Sequence, residues 1–130
     1  MHTRSFSFAA VMVAVTGRQF IGPIEECREL AAFLTGKDID DVAFEKDLPE
    51  ARTELFKQFP QLDSPEFHFA HAELVAMLDQ AKDTMSVNDK KLLVTGWLVK
   101  VSAQYNIGVN ADNEVNQPVE ITSQKQLQHA

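Results

Sequence analysis

Few residues of this chain carry types and spacings that could do chemistry. The cluster Thr16-Gly17-Arg18 returns as Thr35-Gly36-Lys37, and a hydroxyl, a glycine and a cation are the parts of a phosphate cradle. Order and position argue against that use. A phosphate loop reads Gly-Lys-Thr and opens a helix, so that backbone N–H groups at its positive end face the anion. Here each cluster follows an apolar segment of helical character and so lies at a carbonyl end. The dipole there repels phosphate and favours Arg18 and Lys37. Each cluster therefore reads as a helix stop, with glycine supplying the left-handed residue.

His68 and His71, in Phe-His-Phe-Ala-His, stand three residues apart on one helical face. Zinc needs at least a third protein ligand, the His-Glu-x-x-His arrangement is absent, and His71 falls beside the apolar stripe of Phe67 and Leu74. Both read as boundary histidines. Cys27 lies in an apolar stripe, which makes it a small core residue rather than a nucleophile. As the one cysteine it excludes an intrachain disulfide and suits a reducing compartment. There is no Gly-x-Ser-x-Gly elbow and no glycine-rich dinucleotide loop. A calcium loop counted from Asp38 finds Asp40 at its third position, then Val42 and Ala43 where an oxygen ligand and a glycine are required. The sequence thus predicts no catalytic residue, no metal site and no cofactor. The alternatives are a small-ligand or metal-binding enzyme built around His68 and His71, and an oligomeric assembly protein.

Charge is the stronger signal. The net charge is −7, and the segment from Glu25 to Glu54 alone holds ten acidic against four basic residues. Nucleic acid and anionic membrane surfaces call for the opposite sign, so direct contact with either is not expected. The densest stretch supplies Asp38, Asp40, Asp41, Glu45 and Asp47. Their plain reading is a solvated face; the functional one is a docking surface for a partner with a basic surface.

The elements that must position these groups are mostly helical. At 130 residues the chain has the length of a single domain, read as 1–122 with a frayed tail over 123–130. Ser5 or Ser7 can cap a helix through Phe-Ala-Ala-Val-Met-Val-Ala-Val-Thr, apolar on nearly every face and hence buried. Pro23 and the pair Glu25 and Glu26 open a second helix, whose stripe is Ile24, Cys27, Leu30, Ala31 and Leu34. An acidic connection with one helical turn around Ile39 to Phe44 follows. Pro49 is expected to open a third helix that Phe59-Pro60 ends. Pro65 opens a fourth, with Phe67, Ala70, Leu74, Leu78 and Ala81 inward. Ser86 begins the last, with Leu93, Trp97, Val101 and Tyr105 inward. After Asn106, "IGV" and "PVEIT" are short β-prone pieces.

The expected fold is mainly α, about five helices in a compact bundle with a small C-terminal extended element. The alternative is α+β with an N-terminal strand, because Phe6 and Phe8 alternate with serines. Phe8 to Val15 lacks a small-residue cleavage pattern, and no apolar run reaches the roughly 18 residues a membrane helix needs. A cytoplasmic protein is expected.

The order of short motifs resembles a family of small phage and prophage proteins of uncharacterised function. That family carries Thr-Gly-Arg, Met-Thr-Gly-Asp, Leu-Pro-Arg-Ala and His-Pro-Gln-Leu in sequence. The matching positions are Thr16 to Arg18, Thr35 to Asp38, Leu48 to Ala51 and Phe59 to Leu62. Lys37 is inserted, Glu50 replaces an arginine and Phe59 a histidine. The resemblance covers the first half of the chain well and the rest loosely. It implies a phage-borne protein in a bacterial host cytosol, with no catalytic residue to carry over. The reading that results is a non-enzymatic protein that binds and modulates a host or phage protein. An inhibitor of a host defence system is one concrete form.

Overall fold

The computed structural model describes residues 2–81 and 83–123. It begins with a strand, β1 (His2–Phe6), and runs straight into α1 (Phe8–Thr16). Both readings of this stretch hold in part: the alternation up to Phe6 makes a strand, and Ser7 then caps the helix. The Ser7 backbone is extended, at φ −62° and ψ 149°, and its hydroxyl accepts from the Ala10 N–H at 3.1 Å. Both the N–H and the hydroxyl of Ser7 donate to the Glu26 carboxylate, which ties the start of α1 to the next helix.

That helix, α2 (Ile24–Thr35), follows a short 3₁₀ turn at Gln19–Ile21; a second turn, Ile39–Asp41, leads to α3 (Phe44–Gln58). The start of α3 corrects the expectation that Pro49 opens it. The Asp47 carboxylate reaches back to the Ala43 N–H at 2.8 Å and fixes the helix start ahead of the proline. Pro49 therefore sits inside the helix, where it forgoes the backbone bond to the Glu45 carbonyl. Phe59, before Pro60, leaves helical geometry at φ −131° and ends α3 as expected. A 3₁₀ turn at Pro60–Asp63, α4 (Pro65–Ala81), α5 (Val87–Tyr105) and β2 (Val119–Ser123) complete the order. Ser64 and Ser86 cap the last two helices, accepting from the N–H groups of Phe67 and Asp89.

The strands pair antiparallel, from His2 opposite Ser123 to Phe6 opposite Val119, as the described residues' small sheet. "PVEIT" thus supplies the C-terminal strand, while Ile107 to Val109 is loop. Ser123, placed by sequence in a frayed tail, is the buried last residue of β2; residues 124–130 lie outside the described part.

The core is built around α1. Its Ala10, Val11, Met12, Val13 and Ala14 are 0% exposed, and α2, α3, α5 and the sheet's Phe6 and Ile121 pack about it. Each large apolar side chain so enclosed contributes about 1.5–3 kcal/mol. The same core continues between α4 and α5, with Phe67 facing Trp97 and Tyr105 at ring separations of 6.3 and 5.8 Å. The Trp97 indole N–H donates to the Ala70 carbonyl at 3.1 Å. No helix among the described residues is long and apolar enough to cross a membrane.

Candidate functional site

The two Thr-Gly-cation clusters take the same form. Thr16 and Thr35 fold their hydroxyls back onto the carbonyls of Met12 and Ala31, each at 2.7 Å. Gly17 and Gly36 follow at φ 74° and 79°, with N–H groups on the Val13 and Ala32 carbonyls. They are helix ends, where carbonyl oxygens, not N–H groups, point outward.

The cations after them have different fates. Lys37 bonds the Asp47 carboxylate, which is 3% exposed and also holds the Ala43 N–H. The hydrogen bond from Lys37, then that from Ala43, holds the Asp47 carboxyl below the usual range. The same bond raises Lys37, with Asp47, Glu50 and Asp41 acting in the same direction and desolvation opposing. Asp47 is therefore not a member of the solvated acidic face, because its charge is used internally to start α3 and anchor the end of α2.

The other expected contact residues stay at the surface. Asp40, Asp41 and Glu45 are exposed, and Asp38 is half-buried with its carboxylate accepting from the Asp40 N–H. Arg28 of α2 steadies this turn by donating to the Ile39 carbonyl at 3.2 Å. Glu50, exposed on the next turns of α3, adds a carboxylate. The result is an acidic ridge over the Ile39–Asp41 turn and the start of α3.

Arg18 belongs to a second feature, which sequence reasoning missed. Its Nε donates to His71 Nε2 of α4 at 3.4 Å. Arg52 of α3 donates its Nε to the Ala14 carbonyl at 3.1 Å, near the negative end of α1. Burial, then Arg18, His68 and Arg52, hold the His71 imidazole below its ordinary value. The one available signal was that Arg52 follows Leu48 by four residues, on the inward side of α3. His68 turns instead to Asp63, at 3.4 Å. Among the described residues no three His, Cys, Asp or Glu side chains gather where a metal ion could sit. Cys27 is 0% exposed, and burial pushes its thiol up to about 12. Such a group is protonated and inert at neutral pH.

Compared with known proteins, the chain matches no family model, no curated protein and no solved structure.

Proposed function

We propose that this chain is a non-enzymatic binding protein that docks its acidic ridge onto a basic surface of another protein. The observation that carries the reading is the exposure of Asp40 and Asp41, on a turn that Arg28 steadies from the neighbouring helix, beside Glu45 at the start of α3. Asp38 and Glu50 flank them. A rigid patch of one sign steers a partner of the other sign and suppresses wrong ones. The motif order supports a phage-borne origin, and covering a nucleic-acid groove of a host defence protein is the form that fits an acidic mimic best.

The test is capture of partners from a bacterial host lysate by the purified chain, followed by affinity measurement with the captured protein. Replacing Asp40→Lys, Asp41→Lys and Glu45→Lys together is expected to weaken binding by about tenfold or more and to flatten its salt dependence. Unchanged affinity in a folded triple variant would remove the reading.

A further inference from the structure

The α4–α5 hairpin buries little of itself. Of 17 residues in α4 only Phe67, Leu74 and Ala81 are buried. Of 19 in α5, the buried residues are Val94, Trp97, Leu98, Val101 and Ser102. Each helix also carries apolar residues on the side away from that stripe. On α4 these are Phe69 and Ala76, two turns apart; on α5, Leu92, Gly96 and Val99 recur at intervals of four and three. Phe69 is 72% exposed, Leu92 69% and Val99 40%. Single exposed apolar residues are ordinary on a monomer, but rows at helical spacing on two adjoining helices form a face. A Cβ placed on Gly96 meets nothing within 4 Å, so a facing helix has room to approach there.

Charge identifies the occupant. The charged residues of α4 are Glu66, Glu73 and Asp79, with no lysine or arginine. On α5 the exposed Lys91 and Lys100 outweigh the exposed Asp89, while Lys90, four residues before the buried Val94, lies toward the inner stripe. The two surfaces already attract within one chain, where Lys100 lies 3.6 Å from Glu73. A partner matched to one helix by charge is repelled by the other. A second copy related by a two-fold axis escapes this, because it sets its acidic α4 over the basic α5 and its basic α5 over the acidic α4. Phe69 of each copy then meets the Leu92–Val99 row of the other. Such self-complementarity is what an isologous interface requires.

We infer that the outer face of α4 and α5 is where two copies of this chain pair, forming a four-helix bundle. At 1.5 Å per residue the helices run about 25 and 28 Å. Side by side at about 10 Å they offer a face of the order of the 800 Å² per partner of a standard interface. The inference rests on no residue of the acidic ridge.

Analytical ultracentrifugation of the full chain tests it. At about 100 μM the chain is expected to sediment as a dimer, with a dissociation constant on the order of 1 μM. Phe69→Ser and Leu92→Ser should each weaken the dimer by about tenfold or more, with an unchanged circular dichroism spectrum because both side chains are exposed. Phe20→Ser, which removes a 53% exposed residue outside the hairpin, should leave the dimer intact. Lys91→Glu combined with Lys100→Glu should shift it toward monomer. A wild-type chain that stays monomeric at about 100 μM overturns the inference. So does a dimer indifferent to both Phe69→Ser and Leu92→Ser, or a monomer whose hairpin instead captures a different protein.

Discussion

Lys37 and Asp47 form an ion pair across ten residues of chain, one partner at the end of α2 and the other buried at the start of α3. The pair closes the acidic connection into a loop of fixed shape, and the exposed carboxylates Asp40, Asp41 and Glu45 ride on that loop. Removing Lys37 leaves a buried carboxylate held by the Ala43 N–H without its cation. Lys37→Met is expected to lower the melting temperature by about 5 °C, measured by differential scanning calorimetry.

The same pair sets a pH dependence. Asp47 is held below the usual carboxylate range by Lys37 and by the Ala43 N–H, so the unfolded chain binds its proton more readily than the folded one. Its stabilising contribution is complete above the ordinary carboxylate value and is lost as pH falls through the lowered one. Urea midpoints measured down an acid series should fall less steeply for Asp47→Asn than for the wild type.

Gln58 offers a separate test on the sheet. Its side-chain amide donates to the Thr122 carbonyl at 2.6 Å and accepts from the Thr122 N–H at 2.9 Å, completing the free edge of β2 as a neighbouring strand would. Gln58→Ala is expected to cost about 1–2 kcal/mol and to accelerate amide exchange at Thr122 in hydrogen–deuterium measurements. Unaltered exchange there would mean that the side chain does not close the edge.

Gly36 stands at φ 79° after α2. A side chain in that conformation is strained, so Gly36→Ala should lose about 1 kcal/mol and Gly36→Asn less, by chemical denaturation. At Gly17, φ 74°, an added Cβ also comes within 3.3 Å of the Arg52 guanidinium.

His71 should report on the basic corner. Burial first, and Arg18, His68 and Arg52 after that, hold its imidazole below the ordinary value. The associated stability is present above its ordinary value of 6.5 and is lost as pH falls through the lowered one. In an NMR titration Arg18→Gln is expected to raise the His71 midpoint. Cys27, pushed up to about 12 by burial, should resist a thiol reagent in the native protein and react on unfolding.

The helices were legible in the sequence because their signals are local. Ser86 before Val87, Gly36 after Thr35 and Pro65 at the head of α4 each act within a few residues of where they stand. The start of α3 lies ahead of the Pro49 signal because the deciding contact runs from Asp47 to Ala43 with Lys37 behind it, and no propensity or period encodes that pair. The same holds for the candidate surfaces. Asp40, Asp41 and Glu45 were visible as an acidic run, whereas Arg18 and His71 are 53 residues apart and meet through tertiary packing alone. The N-terminal strand was ambiguous for a related reason: β1 has four exposed residues out of five and little stripe of its own, and its partner lies at the far end of the chain.

That last arrangement has a consequence for synthesis. His2 pairs with Ser123, so β1, once made, waits for β2. At about 5–20 residues per second a ribosome leaves β1 without its partner for roughly 6–24 s, long enough for the helices between them to assemble. The sheet is then a closing clasp rather than a nucleus, and a nascent chain stalled before Val119 would present an open strand edge to whatever chaperone or neighbouring chain is near.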